Sequence, residues 1–226
     1  NSGEGPTFSK KAVLYGWVQA RELLRRNLPL VVAEGYMDVI AIHRSGAAAA
    51  VAPLGTALTP EQIALLWKLH DEPVLCFDGD AAGQRAQTRA LERILPLLEP
   101  GRSARLAVLP EGKDPDDLIA ASGPEGFRKV IGTAQSLVDS LWEQIQAEFD
   151  IRQPEARAQF WQVVRGHVRS IGNNQVRSAY GDEIESRIAA MRNQIRGILS
   201  TVAPRRASRP QTGLINRHRA VVALLL

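Results

Sequence analysis

Six carboxylates in three pairs are the residues of this chain whose types and spacing could do chemistry. The pairs are Glu34 with Asp38, Asp78 with Asp80, and Asp114 with Asp116. Several acids with no His or Cys among them form an oxygen donor set that suits Mg²⁺ or Mn²⁺ better than zinc. Because such an ion shares its shell with phosphates, the predicted chemistry is phosphoryl or nucleotidyl transfer, or phosphodiester cleavage.

Each pair follows a short apolar run that has the composition of a buried strand. These runs alternate with helix-like segments, which predicts an α/β fold with a parallel sheet flanked by helices. The loops that follow parallel strands emerge at one edge of the sheet. Two carboxylates about 5 Å apart repel by roughly 3 kcal/mol at an effective dielectric of about 20, so a shared site needs a cation. The sequence therefore predicts one divalent metal site at this edge.

The acids also have structural interpretations. Asp78 and Asp80 have chelating spacing, but acid pairs also occur as turn and helix-capping residues. Asp114 and Asp116 fit a helix start, with Asp114 as the cap and Pro115 in the first turn. Glu34 ends a strand and precedes a glycine, which makes it a candidate ligand or general base.

The predicted elements divide the chain into regions. Residues 1–27 contain a lead-in amphipathic helix, residues 28–132 an α/β domain, and residues 135–200 a helical subdomain in which strand signals vanish. A basic linker follows at 201–213, and residues 214–226 begin another helix. The predicted strands are 28–34, 48–53, 73–78 and 104–109, and the predicted helices are 36–46, 60–70, 81–98, 115–122, 135–149, 154–171 and 174–200.

Composition narrows the function classes. The chain has 226 residues, 45% of them hydrophobic, and a single cysteine, Cys76, which excludes internal disulfides and cysteine-rich metal sites. No signal peptide or membrane span is indicated, which favours a cytosolic setting. The absence of glycine-rich phosphate loops argues against P-loop ATPases and dinucleotide dehydrogenases.

Charge is distributed unevenly along the chain. Residues 1–150 carry 15 Lys or Arg against 20 Asp or Glu, whereas residues 151–226 carry 13 Arg against 4 acids. The basic region either contacts nucleic acid or an acidic partner, or is a solvated helical face with a basic linker.

Four segments taken together resemble a known family. Residues 30–38, 51–59, 76–83 and 109–116 are similar, in order and spacing, to the catalytic Toprim segment of bacterial replicative DNA primases. Residues 1–16 resemble the lead into that segment which is specific to primases. The resemblance covers residues 1–132 strongly and 135–200 weakly, and residues 213–226 resemble the first helix of a helicase-binding domain.

The resemblance implies DNA-directed synthesis of RNA primers from ribonucleoside triphosphates during replication in the bacterial cytoplasm. It makes all six acids metal ligands, with Glu34, Asp78 and Asp80 catalytic and Glu34 nearest the chemistry. It also places Lys10, Gly55 and Thr56 near nucleotide or template.

The implied cofactor is Mg²⁺ or Mn²⁺, with zinc only in an N-terminal domain outside this chain. The implied partners are single-stranded DNA, ribonucleoside triphosphates and the replicative helicase, with no membrane. Two alternatives stay open: a Toprim nuclease or topoisomerase-type enzyme, and a non-catalytic nucleic-acid-binding module.

Overall fold

A six-stranded sheet with the order β1-β3-β2-β4-β5-β6 forms the centre of the fold. The computed structural model describes residues 12–54 and 58–202, with side chains described through residue 197. The central strands β2, β3, β4 and β5 are parallel, as predicted, and the edge strands β1 and β6 are antiparallel to their neighbours. The strands are β1 Leu14–Tyr15, β2 Leu30–Val32, β3 Ala49–Pro53, β4 Val74–Phe77, β5 Arg105–Val108 and β6 Gln135–Ser136.

Helices connect and flank these strands, and their ends follow local sequence signals. Thr59 caps α3 by accepting a hydrogen bond from the Gln62 N–H, and Pro60 occupies the first turn. The segment after β5 is helical from Pro115 to Gly132 but breaks at Gly123 (φ 69°), close to the predicted end at 122. The helices are α1 Trp17–Leu24, α2 Tyr36–Ser45, α3 Pro60–Leu69, α4 Ala81–Ile94, α5 Pro115–Gly132, α6 Leu137–Ala147, α7 Pro154–Ser170 and α8 Asn174–Val202.

The two edge strands correct the sequence analysis. Leu14 and Tyr15 were expected in the lead-in helix but pair with Pro53 and Ala52 of β3. Gln135 and Ser136 were expected to begin a helix but pair with Leu106 and Arg105 of β5. Strands of two residues are too short to show an alternating pattern, so the tertiary pairing decides their conformation.

Buried aliphatic side chains pack on both faces of the central strands. Residues 47–52 are almost wholly inaccessible to solvent, and α2 contacts α5 on one face. The crossover from β2 to β3 and the crossover from β3 past β2 to β4 run in opposite directions. Because such crossovers are right-handed, α2 and α3 lie on opposite faces of the sheet.

Residues 137–189 form the helical part that follows the sheet. Phe160 of α7 is fully buried, and its ring packs edge to face against Trp142 and Phe149 at centroid distances of 5.0 and 6.2 Å. The chain divides into two compact units, residues 1–189 and residues 190–226, and the second is described only for the last part of α8, to Val202. Within the described ranges no helix is long and apolar enough to cross a membrane.

Candidate metal centre

The acids follow the strands at the point where the strand order reverses. In the sheet, β3 lies on one side of β2 and β4 lies on the other. Because the chain passes from β2 to β3 and then crosses to β4, the carboxyl ends of β2 and β4 border a crevice. Glu34 lies two residues beyond β2, and Asp78 follows β4 directly. The Asp78 N–H donates a hydrogen bond of 3.3 Å to Glu34 Oε1. Two of the predicted acids therefore meet at the predicted edge.

The loop after β5 is joined to the loop after β4. The Gly79 N–H donates to the Lys113 carbonyl, and the Gly112 N–H donates to the Gly79 carbonyl, each at 3.2 Å. A Cβ atom on Gly79 would lie 2.0 Å from the Pro110 carbonyl oxygen, and one on Gly83 would lie 2.2 Å from the Asp78 carbonyl oxygen. Both positions require glycine, because a side chain at 79 would push the two loops apart and a side chain at 83 would disrupt the turn from β4 into α4.

Three of the acids also accept hydrogen bonds at helix starts. Asp80 caps α4 by accepting from the Gly83 N–H at 2.7 Å, and Asp114 caps α5 by accepting from the Asp117 N–H at 2.7 Å. The Asp38 carboxylate accepts from the Gly35 N–H at 3.0 Å. Each bond engages one oxygen, and no partner is found among the described residues for the second. The capping interpretation of Asp114 is thus confirmed, and it leaves an oxygen for another ligand.

Burial and the charges of neighbouring acids raise the pKa of two of the carboxylates. Burial, followed by the charges of Glu34, Asp38, Asp114 and Asp80, raises the pKa of Asp78 to about 7. Burial also raises the pKa of Asp38; the hydrogen bond from Gly35 opposes that rise, and the charges of Asp114, Glu34 and Asp116 add to it. Five of the six predicted acids contribute charge to these shifts, and the sixth, Asp78, has the larger shift. In residues 12–54 and 58–202, none of the six forms an ion pair with Lys or Arg.

The donor set fits a hard divalent cation. It consists of carboxylate oxygens without thiol or imidazole. Burial and then repulsion by neighbouring acids raise the pKa of Asp78, and a bound cation would remove that repulsion. In the part of the chain that the structure describes, no three of these side chains are grouped closely enough to hold a metal as they stand. Mg²⁺ typically takes only one or two protein carboxylates and completes its shell with water and substrate phosphates, so such a site does not need three grouped side chains.

The three predicted nucleotide- or template-binding residues, Lys10, Gly55 and Thr56, lie outside the described residues. The structure adds two residues that the sequence analysis did not single out: Gly79 sets the separation of the loops after β4 and β5, and Gly83 allows the turn from β4 into α4. Their spacing around Asp78 and Asp80 was the available signal.

Comparisons with known proteins find that this chain is similar to DNA primases and to the Toprim-like family. Residues 31–119 match the Toprim-like family model. The DNA primase of Pseudomonas aeruginosa is 41% identical over 78% of this chain and 27% of its own length. The DNA primase of Escherichia coli K12 is 33% identical over 93% of this chain and 36% of its own length.

Solved structures give the same result. A DNA primase domain from Pseudomonas aeruginosa is 40% identical to this chain and has a TM-score of 0.76. The match covers 82% of this chain and 58% of that one. A DnaG primase catalytic domain bound to ssDNA, 34% identical, has a TM-score of 0.73 over 82% of this chain and 60% of its own. The chain spans well under half the length of the two curated primases above.

Proposed function

Because this chain belongs to the bacterial DnaG-type DNA primases, as part of their Toprim-bearing catalytic core, we propose that it supplies the metal-binding centre for RNA primer synthesis. The observation that supports this most is the meeting of three acid-bearing loops at the strand-order reversal, with no Lys or Arg paired to the six acids within the described ranges. A structural cluster of acids would be expected to carry cationic side chains.

In the proposed site, Glu34, Asp78 and Asp80 hold the cation nearest the reacting atoms, and Asp38, Asp114 and Asp116 complete the acidic edge. Bound Mg²⁺ or Mn²⁺ supplies charge neutralisation at the triphosphate. The 3′-hydroxyl oxygen of one nucleotide bonds to the α-phosphorus of the next, and the bond to the β-phosphate bridging oxygen breaks to release pyrophosphate. In this proposal Glu34 accepts the proton of the 3′-hydroxyl.

The tight turns at Gly79 and Gly83 give these residues their positioning role. Gly79 lets the loop after β4 approach the loop after β5, and Gly83 allows the turn into α4, so the Asp78 backbone is held where its N–H donates to Glu34 before substrate arrives. In phosphoryl and nucleotidyl transfer, positioning and electrostatic stabilisation account for most of the catalysis.

The proposed partners are single-stranded DNA, ribonucleoside triphosphates and the replicative helicase, the last bound through residues 214–226 together with the C-terminal sequence of longer relatives. Lys10, Gly55 and Thr56 are proposed to contact nucleotide or template. Residues 1–150 carry 15 basic against 20 acidic residues, so we expect this chain alone to bind single-stranded DNA weakly at physiological salt and to make little primer.

Titration of Mn²⁺, monitored by the loss of the free-ion electron paramagnetic resonance signal, tests the site. The chain should bind Mn²⁺, Asp78→Asn and Glu34→Gln should weaken binding at least about tenfold, and the control Asp139→Asn should not. In a full-length primase that contains this chain, both site variants should lose primer synthesis. Nicking of the DNA template in place of primer synthesis would favour a Toprim nuclease, and unchanged Mn²⁺ binding would favour a non-catalytic module.

A further inference from the structure

Two exposed tyrosines lie beside the acidic edge, and the chemistry proposed above does not use them. Tyr36 begins α2, between Glu34 and Asp38 in the chain, and Tyr15 lies in β1. Their rings meet edge to face, with centroids 6.0 Å apart and planes at 64°. The Tyr36 residue is 59% exposed and Tyr15 is 37% exposed. Large aromatic faces of this kind are normally buried, so these two are available to a ligand.

The backbone fixes where this pair lies. Tyr15 pairs with Ala52 near the end of β3, and Gly16 then turns the chain with a φ of 79°. A Cβ atom on Gly16 would lie 2.8 Å from Val39 Cγ1 and 2.9 Å from the Ala50 carbonyl oxygen, so β1 is held tightly against α2 and β3. The ring of Tyr15 thereby supports the ring of Tyr36 from a fixed position.

Tyr36 lies close to two of the acids along the chain. Tyr36 is two residues from Glu34 and two from Asp38, and two residues of chain span at most about 7 Å. A nucleotide that binds the acids through its phosphates and a cation therefore has its base within reach of this pair. An aromatic ring stacks on any of the four bases, because each has a π-face. That tolerance suits an enzyme whose incoming nucleotide is chosen by the template.

We propose that Tyr36, supported edge-on by Tyr15, is a stacking surface for the base of the ribonucleoside triphosphate held at the acids. This inference rests on the function proposed above. Tyr36 is a binding residue in it, and its hydroxyl has no assigned role. The ring, and not its general apolar character, is the feature that the base contacts.

The test uses 2-aminopurine riboside triphosphate with Mn²⁺, because stacking on an aromatic ring quenches 2-aminopurine fluorescence. Tyr36→Phe keeps the ring and should keep both quenching and affinity. Tyr36→Leu keeps an apolar side chain but should lose the quenching and weaken binding between about 5-fold and 150-fold. The control Val163→Ala, at an exposed position in α7, should leave both unchanged.

Each other result has a definite meaning. Equal affinity and quenching in the Phe and Leu variants would overturn the proposal and identify the pair as a protein-docking face. Quenching that occurs only when 2-aminopurine is placed in a DNA template would also overturn it, in favour of template stacking. Mn²⁺ binding should be normal in Tyr36→Leu, which shows that the variant is folded. If Asp78→Asn binds the nucleotide as tightly as the unchanged chain, the proposed function itself fails, whatever Tyr36 does.

Discussion

The acidic edge of the sheet and the helical part at residues 137–189 treat carboxylates in opposite ways. At the edge, burial and neighbouring acids raise the pKa of Asp78 to about 7. In the helical part, hydrogen bonds from Ser136 and Arg187 lower the pKa of Asp139. Arg187 bridges Asp139 and Glu183 at 2.7 and 2.6 Å, and Arg165 pairs with Glu185 at 2.7 Å.

Carboxylates therefore have two different roles in this molecule. In the helical part Asp139, Glu183 and Glu185 are paired with arginines, whereas the six acids at the edge repel one another and form no ion pair with Lys or Arg among the described residues. Repulsion of that kind lowers stability unless a cation is bound. We therefore expect substitutions of Glu34 and Asp78, which cap no helix, to change function with little loss of stability, and substitutions of the paired carboxylates in the helical part to do the reverse.

The largest effect is expected from Asp78→Asn. In a full-length primase that contains this chain, primer synthesis should fall at least about a hundredfold, because one charged contact to the reacting groups is lost. The melting temperature of the metal-free protein should stay the same or rise, since a repelling charge is removed. Rates and melting curves, measured side by side, check both parts. A large drop in melting temperature would show that Asp78 is structural.

Gly79→Ala should have the next largest effect. The added Cβ would lie 2.0 Å from the Pro110 carbonyl oxygen, so the loops after β4 and β5 must separate. We expect destabilisation of about 1–3 kcal/mol and weaker Mn²⁺ binding. Gly166→Ala in α7 is the matched control: its Cβ meets nothing within 4 Å, and the protein should gain up to about 1 kcal/mol. Urea unfolding measures both variants, and equal outcomes would contradict the tight-loop argument.

The sequence predicted most of what positions the site. Strand-end acids such as Glu34 and Asp78 could be placed at one edge because parallel strands have a fixed direction. The strands at Leu14 and Gln135 could not be predicted, since each has two residues and depends on a partner distant in the chain. The same holds for the role of Gly79, because nothing local indicates that the Pro110 carbonyl approaches it.

A smaller effect is expected from Asp139→Asn in α6. The variant loses the charge that pairs with Arg187, whose side chain is 25% exposed, while the Asp139 side chain is 45% exposed. At that exposure the pair contributes up to about 1 kcal/mol, which corresponds to roughly 2–4 °C in the melting temperature of a chain this size. Primer synthesis in the full-length enzyme should be unchanged. A loss of primer synthesis with normal stability would show that Asp139 serves function and not the fold, which would contradict the difference between the two regions.

The smallest effect is the pH dependence of that same contribution. Because the hydrogen bonds from Ser136 and Arg187 lower the pKa of Asp139 in the folded chain, the folded state binds fewer protons than the unfolded state at acid pH. The stabilisation is therefore complete above the unfolded pKa of about 3.9 and is lost as the pH falls through the folded value. Urea unfolding should show Asp139→Asn less stable than the unchanged chain at pH 6, with the difference shrinking below about pH 4. In an Arg187→Gln background the difference at pH 6 should be smaller but still present, because the Ser136 hydroxyl continues to donate to the Asp139 carboxylate. A difference that stays constant down to pH 3 would mean that the Asp139 charge contributes nothing and that Asp139 stabilises α6 through shape and hydrogen bonding alone.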